Sequence, residues 1–156
     1  MLIETMKELK QDNRIKVLFA GIGKLAEEYK ELIIKYNLQN NVRILGYRRD
    51  IPELLKISNC LVSLSYREGL GINAVEGMLA KIPVILSKNR GHNELNIDKE
   101  YMVEINDTEK LKEIILELKD RCVPEKIIEE NYIKAQKFSA ENVNNDMKSI
   151  YKECEG

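Results

Sequence analysis

The sequence has few cysteines, no surplus of either charge and no long apolar run, and each absence removes a class of function. Its three cysteines, Cys60, Cys122 and Cys154, are odd in number and far apart, with no C-x-x-C spacing. That argues against both a disulfide framework and a zinc site, and fits a reducing cytoplasm. Lys and Arg number 25 against 26 Asp and Glu, giving a formal net charge of -1. The two signs are interleaved, so no basic stripe exists to attract nucleic acid by counterion release. The opening MLIETMKELK alternates apolar and charged residues. A signal peptide and a membrane span are therefore not expected, and any membrane association would be peripheral, through a partner or substrate. There is no internal repeat, low-complexity tract or flexible linker.

What is present is a chain of 156 residues, 44% hydrophobic and 33% charged, which suits one globular domain over 1–156 with a solvated surface. Leu2, Ile3, Met6 and Leu9 recur at helical spacing, and KVLFAG then reads as a buried strand punctuated by Gly21 and Gly23. Leu25, Tyr29, Leu32, Ile33 and Tyr36 form a second helical stripe, and NVRILG the next strand. Asp50 and Glu53 have capping-box spacing, with Pro52 acceptable in a first turn, so a short helix is expected from Asp50. CLVSLS, the turn EGLG, the helix INAVEGMLAK and the strand PVILS follow, then the polar loop KNRGHNE. Strand and helix alternate to about residue 122, which predicts a parallel sheet with helices on both faces. After YMVEI the pattern is wholly helical: Leu111, Ile114, Ile115 and Leu118, then Ile128, Tyr132 and Ala135. Ser139 reads as the N-cap of a last helix bearing Val143, Met147, Ile150 and Tyr151. The C-terminal helices thus cover about 123–154. A doubly wound sheet ordinarily begins with a strand, whereas this chain begins with a helix.

The informative stretch is SYREGLGINAVEGMLAKIPVI, a buried strand ending at Ser65, a glycine turn, and a helix from about Ile72. In open α/β sheets ligands bind beyond the carboxyl ends of the strands, and Gly69 and Gly71 would let main-chain N–H groups approach an anion there. Glu68 and Glu76 stand eight positions apart and could border one pocket. Carboxylates repel a diphosphate but accept hydrogen bonds from sugar hydroxyls, so the pair suits a nucleotide sugar.

EGLGINAVEGMLAKIPVILS resembles the Glu-x7-Glu signature of retaining glycosyltransferases of the group 1 (family 4) type, which have the two-domain GT-B architecture. VLFAGIGKL, NNVRILGYRRDIPELLKISNCLVSLSYREG and NRGHNEL resemble successive segments of that family's C-terminal domain, in order, across about residues 1–105. The likeness is to bacterial enzymes of capsular or exopolysaccharide synthesis. It implies a Rossmann-like donor-binding domain for a UDP- or GDP-sugar, with no cofactor and no metal. Glu68 would be the catalytic-site carboxylate facing the transferred sugar, and Glu76 would bind the donor ribose. Gly69, Leu70, Gly71 and Ile72 would contact sugar and phosphate, Gly21 and Gly23 would lie near the phosphates, and Tyr47 and Arg48, beside Gly46, would border the base.

The departures are equally specific. The family has an N-terminal acceptor-binding domain and an Arg and Lys that clamp the donor phosphates, neither of which is in this sequence, so the chain alone is expected to be inactive. Lys81 stands where a small residue or glycine is usual before the Pro, and Gly77 replaces the usual alanine. The segment LNIDKEYMVEI lacks the usual glycine before its strand.

A rival remains open. Gly21-Ile22-Gly23-Lys24-Leu25-Ala26 matches the dinucleotide fingerprint G-x-G-x-x-A, and Arg48 or Arg49 could hold a 2′-phosphate. A helix before the fingerprint's strand counts against a nicotinamide-binding module. A non-catalytic nucleotide-binding or interaction domain is the third reading. His92, the single histidine, lies in a polar stretch and reads as a surface or capping residue, and Arg67 and Arg90 as solvated charges.

Overall fold

A computed structural model of the protein describes residues 1–139, 141–144 and 147–148. The chain divides into two compact units, Met1–Ile57 with Val103–Cys122, and Ser58–Met102 with the chain from Val123 onward.

The first unit opens with α1 (Leu2–Leu9), whose Ile3, Met6 and Leu9 are buried as the helical spacing predicts. β1 (Val17–Ala20) pairs in parallel with β2 (Val42–Gly46), and α2 (Ala26–Lys35) makes the crossover that parallel strands require. Ile3, Met6, Leu9, Ile15, Ile33, Leu38 and Val42 form the core, with Phe19, Ile44, Ile115 and Leu116 packed against it. Buried Asn41 ties the entry to β1, donating to the carbonyls of Ile15 (3.0 Å) and Asp12 (3.2 Å) while Val17 N–H donates to its own carbonyl at 2.8 Å. α6 (Thr108–Asp120) returns to this unit and meets α1, where Lys112 Nζ lies 2.6 Å from Glu8. Its N-cap is Asp107, whose carboxylate accepts from Lys110 N–H at 3.0 Å.

α3 (Ile51–Lys56) begins at the expected place, but the capping box does not form. Asp50 makes no side-chain cap bond because its carboxylate accepts from Arg48, whose Nε lies 2.8 Å away. The guanidinium, two residues back, outcompetes a main-chain N–H for that carboxylate.

The second unit holds β3 (Leu61–Ser63), β4 (Val84–Ser87) and β5 (Met102–Val103), in the order β3-β4-β5, with β3 and β4 parallel. The boundary between units falls within β5. β4 is buried throughout and carries the continuous apolar run of a central strand. α4 (Ile72–Leu79) crosses over from β3 to β4 and buries Ala74, Val75, Gly77 and Met78. α7 (Glu125–Gln136) packs on α4, with Ala135 fully buried. Ser139 caps the helical stretch that follows: its hydroxyl accepts from Asn142 N–H at 3.2 Å and its carbonyl from Val143 N–H at 3.0 Å. Ile150, Tyr151 and Cys154 lie outside the described residues.

KNRGHNE, read as a polar loop, contains a short helix instead. α5 (Arg90–Glu94) starts at Asn89, whose side-chain oxygen accepts from His92 N–H at 2.9 Å. A one-turn helix shows no apolar period, so the pattern could not reveal it. Parallel sheets flanked by helices make this a Rossmann-like α/β fold, the architecture of one half of a GT-B enzyme.

Candidate functional site

In the first unit, the turns after β1 and β2 are joined by Gly21 N–H donating to the Gly46 carbonyl at 2.7 Å. Gly21 and Gly46 have φ of +131° and +68°, values that favour glycine. The structure therefore brings Gly21, Gly23, Tyr47 and Arg48 to the carboxyl ends of two paired strands. Tyr47 is 65% exposed, with the Arg49 guanidinium 5.9 Å from its ring centre. Arg48 is engaged by Asp50, which holds the Asp50 carboxyl below its usual value. Residues 21–25 are exposed, and α2 starts only at Ala26. The two glycines of the fingerprint thus precede the helix by several residues rather than opening it, which weakens the dinucleotide reading.

The second unit carries the Glu68–Ile72 turn beyond the carboxyl end of β3. Glu68 is half-buried, and its Oε1 accepts from the Ser65 hydroxyl at 2.6 Å. Gly71 is the N-cap of α4, with φ of +76° and ψ of +62°, and offers no side chain to the helix. The first N–H groups of a helix have no partner within it, so with no cap this turn presents free donors and the positive end of the helix dipole. Asn73 bends back, its Oδ1 accepting from Ala74 N–H at 2.9 Å while its Nδ2 donates to Ser63 Oγ at 2.9 Å. Ile72 is 71% exposed, Leu70 is half-buried and Gly69 is exposed. Glu76 is exposed one turn along α4, and among the described residues it has no ion-pair partner.

His92 is where the structure departs furthest from the sequence-based expectation. It is fully buried rather than a surface residue. Its Nδ1 lies 2.9 Å from the Ser87 carbonyl and its Nε2 3.4 Å from Ser63 Oγ. Ser87 Oγ donates to the Ser65 carbonyl at 2.7 Å, and Asn89 Nδ2 reaches the same carbonyl at 2.9 Å. Ser63, Ser65, Ser87, Asn89 and His92 so form a polar network beneath the Glu68–Gly71 turn. Its one sequence signal is the three-residue spacing from Asn89 to His92, that of an N-cap and the N–H it receives.

A left-handed glycine opening an uncapped helix beyond a parallel strand is an arrangement in which α/β proteins hold anions and nucleotides. Comparison with known proteins gives the family: the chain belongs to the glycosyl transferases group 1, whose family model matches residues 1–152. It is 34% identical to the putative glycosyltransferase EpsD of Bacillus subtilis, over 96% of this chain and 40% of that protein. A glycosyltransferase structure from Rickettsia africae superposes with a TM-score of 0.86 at 28% identity, covering 97% of this chain and 43% of the other. A Staphylococcus aureus TarM variant, in complex with fondaparinux, alpha-GlcNAc-glycerol and UDP, superposes with a TM-score of 0.80 at 26% identity, over 96% of this chain and 32% of its own. The chain spans less than half the length of these proteins.

Proposed function

We propose that the chain is the donor-binding half of a retaining glycosyltransferase that transfers a hexose from a UDP- or GDP-sugar to a saccharide or lipid-linked acceptor. The observation that carries this is the uncapped start of α4, opened by left-handed Gly71 and flanked by Glu68 and Glu76 within the family's motif. The diphosphate would take the main-chain N–H groups at Gly71 and Ile72. Those donors are fixed before the reaction, so they stabilise the leaving diphosphate with little reorganisation. Glu68, held by Ser65, would accept from hydroxyls of the transferred sugar, and Glu76 from the ribose. On the first unit, Gly21, Gly23, Tyr47 and Arg48 are proposed as further donor-contacting residues. UDP, present in the TarM complex, is the first nucleotide to test. An N-terminal acceptor-binding domain would present the acceptor, and surface polysaccharide synthesis is the proposed setting.

Calorimetric titration with UDP, GDP, their sugar conjugates and NADP tests this reading. Saturable binding of one nucleoside diphosphate is expected. Glu76→Ala should weaken it about tenfold or more, the order expected for losing a charged hydrogen-bond acceptor. Gly71→Val should abolish binding. Binding of NADP alone, indifferent to Glu76→Ala, would return the molecule to the dinucleotide reading.

A further inference from the structure

Two consecutive residues of α5 press on the Glu68–Gly71 turn from its inner side. A Cβ on Gly91 would stand 2.6 Å from the carbonyl oxygens of both Glu68 and Gly69, so only glycine fits there. A Cβ on Gly71 would stand 2.8 Å from Cδ2 and 3.0 Å from Nε2 of His92. The glycine at 71 is thus required twice, by its left-handed φ and by the imidazole edge against it.

The partners of His92 assign its tautomer. The Ser87 carbonyl can only accept, and at 2.9 Å it fixes the proton on Nδ1. Nε2 then carries the lone pair and accepts from the Ser63 hydroxyl, whose oxygen accepts in turn from Asn73 Nδ2. Asn89 Nδ2, 2.9 Å from Nδ1, spends its hydrogens on the Ser65 carbonyl and on Ser87 Oγ. One buried ring therefore bonds to the ends of β3 and β4, connects through Ser63 to the first turn of α4, and sits in van der Waals contact with the helix cap.

We infer that His92 is a positioning residue, whose buried imidazole sets the conformation of the Glu68–Gly71 turn and so the aim of the α4 N–H groups. What those groups receive rests on the donor reading above; the conformation of the turn does not. An apolar ring of similar volume would fill the space but take the ring donor from the Ser87 carbonyl and the ring partner from the Ser63 hydroxyl, which would keep only Asn73.

The test uses the whole 156-residue chain and two readouts: UDP and GDP affinity by calorimetry, and amide shifts and hydrogen exchange of Gly69–Asn73 by NMR. His92→Phe is expected to move the Gly71 and Ile72 amide resonances, speed their exchange, and weaken nucleotide binding about tenfold, the loss of roughly one buried hydrogen bond. His92→Asn and His92→Gln, each able to restore one of the two ring bonds, should fall between. Ile114→Val on α6 controls for lost stability and should leave the nucleotide affinity unchanged. Native turn amides and native affinity in a folded His92→Phe chain would overturn the proposal. So would a ring ¹⁵N spectrum of the native chain showing the proton on Nε2, a result that needs no variant to fold. If the native chain binds neither nucleotide, the donor reading falls and the turn amides alone decide the role of His92.

Discussion

Lys81 carries φ of +56°, a conformation that costs an ordinary side chain about 1 kcal/mol or more. It occupies the residue after the C-cap of α4 in a Schellman turn: Ile82 N–H bonds the Gly77 carbonyl at 3.3 Å and Lys81 N–H the Met78 carbonyl at 3.1 Å. Asn37 closes α2 in the same way, and asparagine tolerates that conformation. At Lys81 the strain is offset by the side chain, whose Nζ lies 2.8 Å from Glu129 and 4.3 Å from the Tyr132 ring centre. The pair is half exposed, so solvent screening keeps its contribution small. Lys81→Ala keeps the strain and loses the tether, whereas Lys81→Gly loses both. Urea unfolding should therefore find the glycine variant more stable than the alanine variant by about 1 kcal/mol, and close to wild type. Residues of this kind separate what the sequence discloses from what it hides. Glu68, Gly71 and Glu76 were legible because motif spacing is a property of the chain. The capture of Asp50 by Arg48 and the burial of His92 were not, because each depends on which partner wins in space.

Among the elements, α4 shows how a helix is seated to present its end. Gly77 lies in its interior, where glycine costs roughly 1 kcal/mol against alanine. A Cβ there would stand 3.0 Å from Val84 Cγ1 and 3.1 Å from Leu61 Cβ, so the helix rests directly on β3 and β4. Gly77→Ala should therefore destabilise this chain by about 1 kcal/mol net, as overpacking exceeds the gain in helix propensity. A thermal or urea midpoint that rises instead would show that the sheet yields easily. The longer helices and the strands β1 to β4 follow from period and punctuation. β5 falls within the strand expected in LNIDKEYMVEI, whereas α5 is too short to show a period; the two complete the second unit's sheet and polar network.

At the scale of the molecule, Asp12 links the connection after α1 to α6. Its carboxylate accepts from Arg14 Nη2 at 2.7 Å, from Arg14 N–H at 3.0 Å and from Lys119 Nζ at 3.1 Å. Arg14 first, then Lys119, holds its pKa well below the usual carboxylate range. A carboxyl more acidic folded than unfolded lends stability that is complete above the unfolded value, about pH 4, and is lost as pH falls below it. The urea midpoint should drop between about pH 5 and pH 2.5, and by less in Asp12→Asn, which should already be weaker at neutral pH. A variant that falls in parallel with wild type would assign the acid sensitivity to other carboxyls.

The partner of Glu8 in α1 is Lys112 in α6, 104 positions along the chain, and β3, β4 and β5 are all encoded between them. During synthesis at roughly 5 to 20 residues per second, α1 waits on the order of 5 to 20 s for the helix that covers it. Through that interval Ile3, Met6 and Leu9 have only the local partners of α2, β1 and β2. The nascent chain then carries an apolar face that chaperones can engage until the segment ending at Cys122 completes the first unit, at which point the second unit still awaits the chain from Val123 onward.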